Sequence, residues 1–379
     1  MRFKMRLILL FVTALSLLSS EIPNIVKGFD WPVPKTDLIP KNYLCRRTDG
    51  YIYIDGKSDE LSWKNAPWTD YFVDIEGHLK PDPYHKTRVK MLWDDEFMYF
   101  FANMEEPQLW ATLTERDAVV YFDNDFEIFI DPDGDTHNYY ELEINTFGTL
   151  WDLLITKPYR DNGHAVDAWD VRDIKYALDI RGTVNNPSDN DEGWSIEAAI
   201  PWKVLEECAS HPGPPKDGEI WKVNFSRVQW ETEIQAYGYV KKPDTPEHNW
   251  VWSPQGLIAM HYPEMWGNVR FIDRNSLFDP DKFSLEEEES AEMNAEWILR
   301  QLYYGMKYTK EKTGQHPRDL NELYRALKID NIREIYPQNL PYSEPEMSLF
   351  GDYYIIKTES RKTGVRNVLI REDGKVWKE

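Results

Sequence analysis

Residues Tyr121 to Asn145, YFDNDFEIFIDPDGDTHNYYELEIN, hold two apolar–polar alternations on either side of an aspartate-rich turn. A period of two is the signature of a strand with two unlike faces, so the stretch predicts an antiparallel hairpin. Phe126, Ile128 and Ile130 share one face of the first arm, opposite Glu127, Phe129 and Asp131. On the second arm Tyr140, Leu142 and Ile144 go together, opposite Glu141, Glu143 and Asn145. Pairing across the turn merges the polar sets into one acidic patch, expected to face solvent with aromatics beside it. This patch is the candidate functional surface.

Similar signals recur on both sides of the hairpin. Thr87–Trp93, Phe97–Asn103, Thr149–Thr156, Tyr176–Ile180, Gly193–Ile200, Glu219–Trp230 and Gly267–Phe271 all predict strands. Tyr51–Ile54 is a further expected strand, ending at the turn Asp55-Gly56 and followed by a short helix within Lys57–Trp63. Many strands with only brief helices predict a mainly β protein built as an antiparallel β-sandwich over residues 43–272. After a linker at 273–282 the composition changes. Residues 283–311 have helical spacing, with acids in the first turns and bases in the last, matching the helix dipole. A second helix at Asp319–Leu327 and strands at Tyr353–Thr358, Asn367–Arg371 and Lys375–Trp377 complete an expected α+β unit over 283–379.

The chain opens with Arg2, Lys4 and Arg6, an apolar run Leu7–Leu18, then Ser19 and Ser20. That pattern predicts a secretory signal peptide at 1–20 and an exported protein, periplasmic or extracellular. A Pro-spotted extended lead-in follows at 21–42, and no later apolar run approaches membrane-spanning length. Removing residues 1–20 takes away three positive charges and no negative ones, so the formal charge of −22 becomes −25. Such a surface repels nucleic acid and anionic lipid and leaves neutral ligands, sugars above all, as expected partners. Cys45 and Cys208 are the two cysteines, a candidate disulfide in an oxidising compartment.

Several pieces fall in a recognisable order. They include Tyr53-Ile54-Asp55-Gly56-Lys57 with Trp63, Val89–Asp94, the DFEIFID and YELEIN arms, and Gly148-Thr149. Trp194 with Glu197 and Pro201-Trp202, then Asn224-Phe225 and Arg227, Trp252-Ser253-Pro254, and Trp266-Gly267-Asn268 close the series. Residues 43–272 thereby resemble the family 9 carbohydrate-binding modules, within the DOMON-like β-sandwiches. The resemblance implies non-catalytic binding of polysaccharide chain ends, a terminal sugar being clasped between two aromatic walls over a polar floor. It implies Tyr121 as the first wall and Glu127 as the floor. Glu141 and Glu143 stand at two further polar contacts where the family has an amide and a base. The second wall falls on Met260, with Trp250, Trp252 and His261 as nearby substitutes.

Other chemistries are open to the same residues. Glycoside hydrolysis needs two carboxyl groups, and Glu127 with Glu143, or Glu141 with Glu143, supplies a pair. Asp131, Asp133 and Asp135 alternate as D-x-D-x-D, a spacing suited to structural calcium and equally to turn formation. DOMON-like relatives include haem domains, for which Met98, Met104, Met260 and His261 are the available ligand types. Arg227 either donates to a sugar or pairs with a neighbouring acid; its parity with apolar Phe225 favours the ion pair.

Overall fold

The computed structural model describes residues 32–34, 38–235, 238–329, 336 and 340–379. The expected signal peptide lies outside them. In the sandwich the strands are β1 (Asn42–Arg47), β2 (Val73–Asp74), β3 (Thr87–Trp93), β4 (Phe97–Glu105), β5 (Asp125–Asp131) and β6 (Tyr139–Asn145). Then come β7 (Leu150–Ile155), β8 (Ala165–Val166), β9 (Lys175–Arg181), β10 (Gly193–Pro201) and β11 (Ile220–Gln229). A small hairpin, β12 (Thr232–Gln235) and β13 (Gly238–Lys241), precedes β14 (His248–Val251) and β15 (Gly267–Ile272). The C-terminal region holds α3 (Glu287–Thr313), α4 (Leu320–Ala326), β16 (Glu346–Phe350), β17 (Tyr353–Thr358), β18 (Val368–Arg371) and β19 (Val376–Lys378).

One hydrogen-bonded path runs β8-β7-β6-β5-β11-β15-β1-β3-β4-β10-β9. It folds back on itself, so its two halves form the layers of a β-sandwich. Apolar faces meet between them: Phe225 stacks on Phe126 at 5.8 Å from one half and meets Phe100 edge-on at 5.7 Å from the other. Most contacts along the path are antiparallel, but β1 runs parallel to both β15 and β3 and joins the two halves. The sandwich is therefore mixed at its fold line.

Tyr51–Ile54 is extended but joins no ladder. Ile52 is buried while Tyr51 and Tyr53 are exposed. The backbone at the following turn is held by a side chain instead, Asp55 N and Gly56 N donating to Glu197 Oε2 at 2.9 and 3.1 Å.

The helix α3 begins at a capping box made by Glu286 and Glu289 and ends at Gly314, whose φ of 81° favours glycine. Its Ala295, Ile298, Leu302 and Met306 pack with Ile356, Val368 and Ile370 of the four-stranded sheet β16–β19. Tyr262 and Met265, from the segment closing the sandwich, belong to the same apolar cluster. The C-terminal region is thus fused to the sandwich by a shared core. Neither expected cysteine partner is bridged: Cys45 and Cys208 are free thiols. Cys45 points from β1 into the sandwich core, while Cys208 packs at that core's margin beside Tyr140 after the Trp202–Leu205 turn.

Candidate functional site

The hairpin forms as its alternation requires. In register Glu127 faces Glu143, Phe129 faces Glu141, and Asp125 faces Asn145. One strand further, Trp151 stands beside Glu143 and Leu153 beside Glu141. On the other flank Ser226 of β11 stands beside Glu127. These residues share one face of the sheet, because neighbours in register point the same way.

That face is not open to solvent. Asp125, Glu127, Glu141 and Glu143 are between 1 and 5 % exposed. Loops and short turns close over it and leave a cavity of about 440 Å³, within the ordinary range for small-ligand sites. Glu127, Glu141, Glu143 and Phe129 form its floor with Trp151. Tyr121, in the 3-10 turn Val120–Phe122, lies 6.1 Å from Trp151 ring to ring and borders the mouth. Its backbone N donates to Glu143 Oε2 at 2.9 Å, which ties the wall to the floor. The second wall comes from Tyr159 and His261, whose rings meet edge-on at 4.5 Å. Tyr139 Oη lies 3.0 Å from His261 Nδ1, and Trp266 Nε1 donates to Met260 O at 2.8 Å, so this wall is pinned from below.

Among the described residues no lysine or arginine lines the cavity. Burial pushes Glu127 up to about 7. Burial, followed by repulsion from Glu127, carries Asp125, Glu141 and Glu143 well above the carboxylate range. The floor therefore combines protonated and ionised carboxyl groups near neutral pH, able to donate to as well as accept from hydroxyls.

A hydroxyl-binding floor between aromatic walls fits the family match. The sequence profile of the carbohydrate family 9 binding domain-like group matches residues 54–251, more than half of the chain. The chain belongs to that family. Family 9 domains bind carbohydrate without cleaving it, and residues 54–251 form such a non-catalytic carbohydrate-binding domain. Glu127, Glu141 and Glu143 lie within the matched residues.

Solved family 9 structures are similar in part. A family 9 module from Caldicellulosiruptor kristjanssonii in complex with cellotriose is 17 % identical, with a TM-score of 0.39 over 65 % of this chain and 100 % of that one. The same source in complex with glucose gives 18 % identity and a TM-score of 0.39 over 62 % of this chain and 100 % of that one. Endo-1,4-beta-xylanase C of Paenibacillus barcinonensis is 31 % identical over 88 residues, 23 % of this chain and 7 % of the xylanase.

Within this family 9 chain the expected site residues divide. Tyr121, Glu127, Glu141, Glu143, Met260 and His261 all line the cavity. Three others do not. Arg227 is buried on the opposite face, paired with Glu106 at 2.8 Å and bonded to Thr87 and Gln229. Trp252 is in the sandwich core, edge-on to Tyr43. Asn145 serves its own turn, Oδ1 accepting from Phe147 N and Thr149 N while Nδ2 donates to Asp123. Met98 and Met104 are fully buried in the sandwich core.

Trp151 and Tyr159 were not among the expected contacts. The first was accessible to register reasoning, since it pairs with Glu143; the second sits in the turn Tyr159–Asp161, which has no periodic signal.

The carboxyl groups of Asp131, Asp133 and Asp135 do come together at the hairpin tip, with oxygens within 4.8 Å of one another. Asp131 accepts from Gly134 N and Thr136 N, and Asp135 from His137 N, as turn formers do. Lys375 Nζ, 2.6 Å from Asp135, already brings one positive charge. The oxygen-only set fits a hard cation, which would neutralise the charge that remains.

Proposed function

We propose that the protein is exported and captures a polysaccharide, or its chain ends, in the cavity over β5–β7, in support of polysaccharide breakdown. The observation that carries this is the buried carboxyl floor of Glu127, Glu141 and Glu143 beneath the aromatics Tyr121, Trp151 and Tyr159 in a family 9 domain. Carboxyl oxygens take paired hydroxyls with charge-assisted strength, and aromatic faces cover the C–H side of a sugar ring. Met260 stands at the family's second aromatic position, and Tyr159 with His261 supplies the ring surface that Met260 lacks. Export is supported by the basic start and apolar run of residues 2–18. Among the described residues no helix is long and apolar enough to cross a membrane. A structural calcium at Asp131, Asp133 and Asp135 belongs to the same proposal.

The test is calorimetric titration of the full chain with a panel of plant-type polysaccharides and oligosaccharides. Binding by the parent, with loss of at least ten-fold in Tyr121→Ala and in Glu127→Gln, is the expected result. Absence of binding to every glycan, or equal binding by both variants, defeats the proposal.

A further inference from the structure

Three carboxylates on the sugar face form a tighter group than the cavity floor alone requires. One oxygen each from Asp125, Glu127 and Glu143 can be chosen so that all lie within 4.8 Å of one another. Asp125 is 1 % exposed and does not line the cavity; it sits behind Glu127 at the next position of the same face. Its Oδ1 accepts from Val228 N at 3.2 Å, but its buried Oδ2 has no protein partner. An orphaned carboxyl oxygen in such a place is destabilising unless something binds it. Glu106, by contrast, meets Arg227 at 2.8 Å. Among the described residues no arginine or lysine forms an ion pair with Asp125, Glu127 or Glu143.

We propose that Asp125, Glu127 and Glu143 hold a divalent hard cation, calcium, whose open coordination positions face the cavity. The donors are all oxygen, the choice of calcium over a soft metal. Calcium takes six to eight oxygens, about 2.3–2.6 Å away. Three carboxyl groups leave several positions unfilled. Asp125 closes the rear of the set, while Glu127 and Glu143 open on the cavity, so the remaining positions fall to water or to paired hydroxyls of a ligand. This last step rests on the glycan reading given above; the cation site itself does not. The site also differs in kind from the hairpin tip, where Lys375 already offsets the aspartates.

The experiment is titration of calcium chloride into the chelator-treated full chain, in parent, Asp125→Asn and Asp133→Asn forms. The parent is expected to take up one more calcium ion than Asp125→Asn, and Asp133→Asn to keep that ion. Equal stoichiometry in parent and Asp125→Asn, or no uptake by the parent at millimolar calcium, overturns the proposal. Should Asp125→Asn not fold, terbium replaces calcium and Trp151→Phe replaces the variant, because Trp151 borders the site and excites a bound lanthanide. Tryptophan-excited emission is expected to fall at least two-fold, and unchanged emission overturns the proposal. Glycan titration with and without chelator then separates the two claims. A fall in affinity of ten-fold or more supports the bridging role, and equal affinity overturns it. If no glycan binds under either condition the sugar reading fails, while calcium stoichiometry still decides the cation site.

Discussion

Two buried clusters of charge lie on neighbouring parts of this protein and are built by opposite rules. Beside the cavity's second wall, Arg160 pairs with Glu264 at 2.9 Å and with Asp161 at 3.3 Å. Tyr303 donates to Asp161 at 2.7 Å, Lys307 reaches the same carboxylate, and Tyr304 donates to Glu264. Each acid there has a cation and a hydroxyl. On the cavity face Asp125, Glu127, Glu141 and Glu143 have, among the described residues, neither lysine nor arginine as an ion-pair partner. A balanced cluster stabilises the junction of α3 with the turn Tyr159–Asp161; an unbalanced one is relieved by protonation or by a bound ligand. The contrast separates architecture from recognition better than residue type does, since both clusters are rich in carboxylates.

The largest expected effect comes from breaking the balanced cluster. Asp161→Ala strands Lys307, leaves Arg160 with Glu264 alone, and is expected to cost about 3 kcal/mol in a denaturant melt. A loss under about 1 kcal/mol would erase the distinction. Glu127→Gln on the other cluster should do the reverse, leaving stability unchanged or higher in chelator while glycan affinity falls at least ten-fold, about 1.4 kcal/mol. Trp151→Ala removes stacking surface from the floor and should weaken glycan binding by about 0.5–1.5 kcal/mol in calorimetry.

A smaller effect concerns pH. His261 is lowered to about 4, first by burial and then by Arg160, with Tyr139 and Tyr159 against its ring. The unfolded chain takes up a proton near 6.5 and the folded one only near 4, so between these values stability falls as the solution is acidified. His261→Gln should flatten that slope by on the order of 1 kcal/mol in melts from pH 7 to 4. The smallest effect is none. With Cys45 and Cys208 both free, a reductant should leave the melting temperature unchanged.

The hairpin was legible because its alternation fixes register, and register alone puts Glu127 opposite Glu143. The β3 strand, Thr87–Trp93, forms over the span its alternation marks. What alternation cannot supply is which face lies under cover. It reveals two faces, and the acidic one was expected in solvent until the segments bearing Tyr159 and His261 closed over it. Those walls come from turns and a closing loop far along the chain, where no period exists to follow. Arg227 was readable by parity, sharing the apolar face of Phe225, and it indeed pairs with an acid. Trp252 shows the opposite limit, because a tryptophan near the expected wall is equally good core.

The tip of the β5–β6 hairpin has one more partner. Val376 N donates to Asp135 O at 3.2 Å, Thr136 Oγ1 donates to Gly374 O at 3.2 Å, and His137 Nε2 lies 3.2 Å from Asp373 Oδ2. About 240 residues of chain separate the two sides of these contacts. A ribosome must therefore add about 240 further residues before the tip of this hairpin can be fastened. Loss of residues 373–379 would leave every cavity-lining side chain in place and still loosen the hairpin that carries Glu127, Glu141 and Glu143. The β18–β19 hairpin acts as a latch on the tip of the β5–β6 hairpin.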